Sequence, residues 1–143
     1  MDFIAKTFPN LTVYELYEIL KSRTEVFLLE QNVVCQDMDD LDKESLHCFL
    51  LEGERVVAYL RAFRQDEDTV RVSRVITLTH GKGLGKKLMD KSLGEIKKHF
   101  GAKRLFAHAQ KQAEGFYEKV GFRTVSGEYL EEGIVHVNME MYI

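Results

Sequence analysis

The chain has 143 residues, of which 45% are hydrophobic and 30% are charged, and its formal net charge is −3 at pH 7. This length and composition predict a single globular domain, residues 1–143, with a buried core. The net negative charge argues against a general nucleic-acid-binding protein. No apolar run reaches the roughly 20 residues that a membrane-spanning helix needs, and the N-terminus lacks the pattern of a signal peptide, so we expect a cytoplasmic protein with no membrane partner.

The first half of the chain predicts one helix followed by three strands. Apolar residues recur mostly at helical spacing over residues 12–30, with Thr12 as the candidate N-cap. Strand-like apolar runs follow at 46–51 and 56–63, joined by a short turn, and a third run covers 69–78. These runs predict an antiparallel meander.

The second half alternates helices with strands. Apolar positions in residues 84–100 recur every three to four positions and leave several lysines facing water, which predicts an amphipathic helix. A buried strand is predicted over 103–110, then a short helix that ends at Gly121, and finally a hairpin of residues 122–130 and 134–142. The resulting order, αβββαβαββ, predicts a mixed sheet with helices packed on it.

A glycine-rich turn connects the third strand to the lysine-rich helix. Gly81, Gly83 and Gly85 let the backbone approach a ligand without interference from a Cβ atom. The helix that begins near Leu84 directs unpaired N–H groups and the positive end of its dipole to the same place. The turn therefore predicts an anion site, for which a pyrophosphate is the natural ligand.

The spacing of the turn argues against the two commonest phosphate-binding loops. A Walker loop requires Ser or Thr after its Gly-Lys pair, but Lys87 follows Gly85 and Lys86 here. The dinucleotide-binding pattern begins at Gly81 and Gly83 but has Lys86 in place of its third glycine. A nucleotide triphosphatase and a dinucleotide-binding domain are both disfavoured.

The remaining pattern, HGKGLG at residues 80–85, resembles the acetyl-CoA loop of the GNAT superfamily of N-acetyltransferases, with His80 where Arg or Gln is usual. The run Ala113, Phe116, Tyr117, Gly121 and Phe122 resembles the second conserved block of that superfamily. Segments 26–31, 108–110 and 128–139 resemble its ElaA-like branch. The resemblance implies an α/β (α+β) acyl-CoA N-acyltransferase fold, with a mixed, mostly antiparallel sheet of about six to seven strands flanked by helices.

The same resemblance implies a binding mode for acetyl-CoA, the cosubstrate. The pantetheine arm would lie in a gap beside the third strand and bind exposed backbone groups there, while amides of residues 82–86 would hold the pyrophosphate. The implied cofactor-binding residues are Val75, Ile76, Thr77, Lys82, Gly83, Leu84, Gly85, Lys86, Lys87, Gln110 and Phe116.

Transfer of an acetyl group to an amine requires a deprotonated amine, stabilisation of the negative charge that develops on the thioester carbonyl oxygen, and a proton for the leaving thiolate. Tyr117 matches the superfamily tyrosine that supplies this proton, and the backbone N–H of Ile76 is the predicted carbonyl partner. The spacing of residues does not identify the general base. We expect removal of the amine proton to be shared between groups or mediated by water. Glu30 and His108 lead its candidates. Gln31 is predicted to lie near the acceptor cleft, His47 on a central strand, and His136 either at the acceptor entrance or on a strand facing water.

Residues 36–44 carry four aspartates and one glutamate but lack the glycine and the terminal glutamate of an EF-hand. A solvated acidic loop is the prediction. If it borders the acceptor cleft, it would favour a cationic amine. The two cysteines show no metal or redox spacing, so no metal site and no disulfide are expected.

Two alternatives to an N-acetyltransferase that acts by direct attack stay open. A CoA-binding sensor with little or no turnover would keep the same cradle. A covalent transferase would use Cys35 or Cys48 as a nucleophile, although neither lies in a motif that lowers a thiol pKa. The acceptor is expected to be a small-molecule or peptide amine. Exposed edge strands near the C-terminus allow a homodimer.

Overall fold

In the computed structural model, which describes residues 1–143, an eight-stranded sheet is flanked by three α-helices. The strand order is β1-β2-β3-β4-β5-β8-β6, with β7 also paired to β8, and every pair is antiparallel except β4 with β5. The predicted mixed, mostly antiparallel sheet is confirmed. The strands are β1 (Asp2–Thr7), β2 (Leu46–Glu52), β3 (Arg55–Arg64), β4 (Thr69–Thr77), β5 (Arg104–Gln110), β6 (Arg123–Thr124), β7 (Tyr129–Glu131) and β8 (Ile134–Tyr142), and the helices are α1 (Val13–Arg23), α2 (Leu84–Phe100) and α3 (Glu114–Val120).

Two strand predictions differ from the structure. The N-terminal strand β1 was not predicted, because its six residues gain their strand character from pairing with β2, where Phe3 lies opposite Leu50. The strand predicted over 122–130 consists of two short pieces, β6 and β7, which pair with different parts of β8. Both differences come from long-range pairing, which a local pattern does not contain.

The first helix begins as predicted and ends in a different helical form. The hydroxyl of Thr12 accepts a hydrogen bond from the Glu15 N–H at 3.0 Å, and the Glu15 carboxylate accepts one from the Thr12 N–H at 2.9 Å. This capping box confirms Thr12 as the N-cap. After Arg23 the chain continues as a π-helix over Thr24–Glu30, a form that is rare and is found most often at functional sites.

The core lies on both faces of the sheet. Leu88, Met89 and Ile96 of α2 belong to the larger apolar cluster, which also includes Tyr117 of α3. Ile19 of α1 belongs to a smaller cluster on the opposite face. Neighbouring residues of each central strand contribute to the two clusters in turn, as the alternation of side chains along a strand requires. None of the helices is both long and apolar enough to cross a membrane.

The sheet opens between β4 and β5. These strands pair only from Thr69 opposite Arg104 to Arg71 opposite Phe106, although β4 continues to Thr77 and β5 continues to Gln110. Beside the opening β4 carries a bulge, where Arg74 has a φ of 54°. Bulges bend a strand and redirect its side chains. The wedge between β4 and β5 therefore leaves backbone groups of β4 free for a ligand.

The acidic segment after the first helix is an ion-pair cluster, so the prediction of a solvated acidic loop that attracts cationic amines is wrong for its central carboxylates. Arg23 is fully buried and bonds Asp42 at 2.7 Å and Asp37 at 3.0 Å. Arg61 bonds Asp39 through two N–H groups, at 2.6 and 2.7 Å. The Arg–Asp cluster comprises Arg23, Arg61, Arg74, Asp37, Asp39 and Asp42.

Candidate active site

The glycine turn borders a cleft of about 560 Å³ at the open edge of β4, which we call the glycine-loop cleft. It lies between the end of β4, the first turn of α2 and one side of α3. Eight of the predicted cofactor-binding residues line it: Val75, Ile76, Thr77, Gly83, Leu84, Gly85, Lys86 and Phe116. The wedge and the glycine turn thus form one continuous surface.

The backbone of the turn is arranged as an anion site. Gly81 and Gly83 have φ values of 76° and 72°, which residues with a Cβ atom adopt only with strain. The main-chain N–H groups of residues 79–83 donate no hydrogen bond within the chain, and the first N–H groups of α2 face the same space. A Cβ atom on Gly85 would lie 2.9 Å from the Phe116 ring. Glycine at these positions therefore allows the backbone conformation of the turn and keeps its unpaired N–H groups open to an anion.

Successive backbone N–H groups of β4 point alternately toward β3 and toward the wedge. The Leu78 N–H donates to Val57 O, and Ile76 lies opposite Tyr59, so the Ile76 N–H points toward β3. By alternation the N–H of Thr77 points into the wedge. The Ile76 N–H, predicted to bind the thioester carbonyl, is therefore directed toward β3 and away from the wedge, and the Thr77 N–H faces the wedge instead.

A second pocket of about 820 Å³, which we call the polar pocket, adjoins the cleft. The end of the first helix, β4, β5, α3 and the β7–β8 hairpin enclose it, and most of its lining is polar or charged. Glu30, Gln31, His108, His136 and Gln110 all lie on its wall. The candidates proposed for the acceptor side are thus brought together from distant parts of the chain.

The two cavities meet at Tyr117. Four residues line both of them, namely Val75, His80, Ala113 and Tyr117. Tyr117 is only 6% exposed, and burial raises the pKa of its hydroxyl well above the usual value near 10. The side chain therefore keeps its proton at neutral pH where the glycine-loop cleft opens into the polar pocket.

The end of the π-helix is tied to the glycine turn and to β5. Glu30 Oε1 lies 2.5 Å from His80 Nε2, and the Gln110 side chain donates to Gln31 at 2.9 Å. Because a carboxylate can only accept, the tautomer that donates through Nε2 to Glu30 has Nδ1 as an acceptor. His80 thus lies at the junction with one ring nitrogen bonded to Glu30 and the other without a partner in the chain.

His108 is arranged differently. Its Nδ1 lies 2.7 Å from Nη2 of Arg71 and 3.0 Å from a Glu131 carboxylate oxygen. An arginine N–H can only donate and a carboxylate can only accept, so Nδ1 cannot hydrogen-bond both neighbours at once. In the tautomer that accepts the shorter contact, from Arg71, the ring proton lies on Nε2 and the Glu131 contact is not a hydrogen bond. His108 then offers the pocket a donor, which is the wrong polarity for the base that the sequence suggested.

Several predicted residues lie away from the glycine-loop cleft. Lys82 and Lys87 are exposed and do not line it, and Gln110 belongs to the polar pocket. His47 lies in the core, bonded to the Tyr59 hydroxyl and to Asp42 O at 2.8 Å each, and burial lowers its pKa. His136 lies in the polar pocket and donates from Nδ1 to Ile134 O at 2.7 Å.

Sequence reasoning missed the charged residues that strands and hairpins bring to the polar pocket. Arg71 and Arg74 lie on β4 and Glu131 on β7. The only available signal was the presence of two arginines in a partly apolar strand, but they are three positions apart, so alternation alone assigns them to opposite faces. Neither was identified as a site residue.

The cysteines do not have the environment of a nucleophile. Cys48 is fully buried, and burial raises the pKa of its thiol to about 12. Cys35 is exposed, and partial burial of its sulfur together with nearby carboxylates raises its pKa as well. A nucleophilic cysteine requires a lowered pKa, so the covalent alternative is disfavoured. No group of side chains suited to a metal ion is present.

Comparison with known proteins identifies the family of the chain. The family model for the acetyltransferase (GNAT) domain matches residues 13–143. The protein ElaA of Escherichia coli is 36% identical over 136 residues, which cover 91% of this chain and 89% of ElaA. Its crystal structure superposes with a TM-score of 0.91 at 30% identity and covers 99% of both chains.

Two further structures extend the comparison. An acyl-CoA N-acyltransferase from Pseudomonas aeruginosa has a TM-score of 0.90 at 32% identity, with 99% of each chain covered. An aminoglycoside 6′-N-acetyltransferase complexed with coenzyme A has a TM-score of 0.75 at 11% identity, covers 97% of this chain and 96% of its own, and shares the fold. On the match over residues 13–143 and the ElaA identity, the chain belongs to the GNAT family of acetyltransferases.

Proposed function

We propose that the protein transfers the acetyl group of acetyl-CoA to a primary amine by direct attack of the amine on the thioester. The observation that carries this proposal is the meeting of an anion cradle and a polar pocket at one buried tyrosine, Tyr117. A nucleophile in the pocket and a thioester in the cleft would approach each other there. Proximity of this kind is a large part of catalysis by such sites.

The glycine-loop cleft is the proposed acetyl-CoA site. Acetyl-CoA supplies the acetyl group in an activated thioester. The free N–H groups of residues 79–83 and the start of α2 would hold the diphosphate, and the wedge-facing N–H of Thr77 would bind the thioester carbonyl. The coenzyme A complex of the aminoglycoside acetyltransferase, which shares this fold, supports the assignment.

Tyr117 is the proposed acid. Its hydroxyl forms no hydrogen bond within the protein, and burial holds its pKa high enough to keep the proton available. The group would donate that proton to the leaving sulfur. General acid catalysis of this kind typically contributes about 10²- to 10⁴-fold in rate.

The pair of Glu30 and His80 is the proposed base. Glu30 orients the imidazole at 2.5 Å, and the free Nδ1 of His80 can take the amine proton, directly or through water, at the junction of the two cavities. This arrangement includes the predicted Glu30 and replaces His108, whose Nδ1 is occupied by Arg71.

The test is thiol release from acetyl-CoA by the purified protein with a panel of primary amines. We expect release that depends on the amine and saturates with its concentration. The sensor alternative predicts the opposite: calorimetry detects binding of CoA, while no amine raises thiol release above the rate without protein.

We also propose that residues 1–143 act as one catalytic domain, since a single sheet incorporates strands from Asp2 to Tyr142. The cytoplasmic location and the homodimer stay predictions. Light scattering on the purified protein would measure its oligomeric state.

A further inference from the structure

The polar pocket contains an arginine without an ionised partner, Arg71. The fully or nearly fully buried arginines, Arg23 and Arg61, each bond two aspartates, and the half-buried Arg104 bonds Glu140. Arg71 makes a single hydrogen bond, from Nη2 to the neutral nitrogen of His108 at 2.7 Å. Its Nε atom is buried and has no acceptor.

The charge of Arg71 is poorly compensated by its surroundings. Burial lowers the pKa of Arg71, and the nearby cations of Arg61 and Arg74 act in the same direction. Glu131 is the nearest opposing charge, but its carboxylate lies 3.0 Å from His108 Nδ1 and forms no ion pair with Arg71. A half-buried guanidinium with one neutral partner is costly in a folded protein unless a ligand supplies acceptors to its remaining accessible N–H groups.

A second donor lies beside it. In the tautomer whose Nδ1 accepts from Arg71, the His108 ring carries its proton on Nε2 and is a donor there. Both side chains line the polar pocket. The pocket thus combines a cation and a neutral donor, a pairing that suits an anionic oxygen and in particular a planar carboxylate, which an arginine fork can bind through two N–H groups.

We propose that the acceptor is a small amine that also carries a carboxylate, as an amino acid does, and that Arg71 and His108 bind this carboxylate. The inference rests on the proposed function and names the class of its acceptor. The amino group would lie toward Tyr117, where Glu30 favours a cation before deprotonation. The volume of about 820 Å³ suits a small molecule of this kind.

The test compares amines that differ by the carboxylate alone. Calorimetry would measure binding of L-lysine against cadaverine, and of L-ornithine against putrescine, to the protein saturated with CoA. We expect the carboxylated member of at least one pair to bind about 10- to 100-fold more tightly, the usual strength of a hydrogen-bonded charge pair. Equal affinity within both pairs, including no binding by any member, overturns the inference.

Variants of Arg71 test whether this residue causes the preference for carboxylated amines. Arg71→Met should remove the preference for the carboxylated amine, and Arg71→Lys, which keeps the charge without the fork, should restore part of it. Arg64→Met, on the exposed end of β3, is the matched control and should keep the full preference. If the preference persists in Arg71→Met that still binds CoA, the inference is wrong. If Arg71→Met does not fold, an unchanged preference in Arg71→Lys overturns the inference and a reduced one supports it.

Turnover separates this inference from the proposed function. If cadaverine and putrescine bind and release thiol as well as lysine and ornithine do, the carboxylate inference fails and the transferase stands. If the carboxylated amines bind more tightly but no amine releases thiol from acetyl-CoA, the transferase proposal fails and the carboxylate site stands.

Discussion

The Arg–Asp cluster and the candidate active site lie close together but differ in whether their polar groups have hydrogen-bond partners within the chain. In the cluster every buried guanidinium meets carboxylates, as Arg23 does with Asp42 and Asp37. In the site the Tyr117 hydroxyl, the N–H groups of residues 79–83 and the Arg71 Nε have no partner in the chain. Satisfied groups hold the fold, and unsatisfied groups are available to a ligand.

This contrast predicts that changes in the cluster reduce stability, whereas changes in the site reduce binding or turnover and leave stability almost unchanged. Arg74 belongs to both regions, since it bonds Asp37 and also lines the polar pocket. It therefore links the ion pairs to the wall of the proposed acceptor site.

The largest effect is expected for Asp42→Ala. The change leaves Arg23 fully buried with one carboxylate partner fewer and also removes a bond to Arg61. Breaking a buried pair in this way costs about 3–5 kcal/mol. Urea unfolding would measure the loss. Asp90→Ala, which removes a surface carboxylate on α2, should change the free energy of unfolding by less than about 0.5 kcal/mol.

A smaller effect is expected from the pH dependence of Asp39. The two hydrogen bonds from Arg61 lower the pKa of Asp39 to about 2. Because the folded value lies below the unfolded value of about 3.9, the ion pair stabilises the fold above that pH and is lost as pH falls toward 2. The contribution is at most about 2 to 3 kcal/mol.

Urea unfolding of the protein and of Asp39→Asn at several pH values would measure this contribution. The difference between the two should be full at pH 7 and should shrink as pH falls below about 4. A constant difference down to pH 2 would contradict the assignment.

Gly85→Ala should weaken CoA binding about tenfold with little change in stability. Its Cβ atom would lie 2.9 Å from the Phe116 ring, which would have to move into the glycine-loop cleft. Gly94→Ala in the same helix meets no atom within 4 Å, so it should keep CoA affinity and gain up to about 1 kcal/mol in helix stability. Calorimetry would measure the CoA affinity of both variants. Equal affinities would contradict the proposal that the glycine turn holds the diphosphate of CoA.

The smallest effect is expected for Lys82→Ala. The side chain is exposed at the loop and does not line the cleft, so its charge acts through solvent and is screened by salt. We expect CoA affinity to fall about twofold at low salt and to be unchanged at high salt. Lys91→Ala, about two turns along α2, should have no effect, and an equal loss in both variants would contradict a local contribution.

The parts of the fold that were predictable are those set by local sequence. The Thr12 cap and the amphipathic helix at 84–100 depend on neighbours within a few positions. The glycine turn is also local, and the family resemblance that includes it implied eight of the residues that line the cleft. By contrast, β1 depends on β2, which lies about 40 residues further along the chain.

The polar pocket could not be predicted for the same reason. Arg71 meets His108 across 37 positions, and Gln31 meets Gln110 across 79. The role of the acidic segment was misjudged because Asp39 and Asp42 find Arg61 only in the folded sheet. The pairing register of β3 and β4 could not be predicted from the sequence either, and it is this register that directs the Ile76 N–H toward β3.

The most direct test of the account is the paired measurement of CoA affinity and thiol release for Tyr117→Phe, with Tyr14→Phe on the exposed face of α1 as the control. The account predicts unchanged CoA affinity and a loss of about 10²-fold in amine-dependent thiol release for Tyr117→Phe alone. Full turnover by this variant at normal CoA affinity would contradict it.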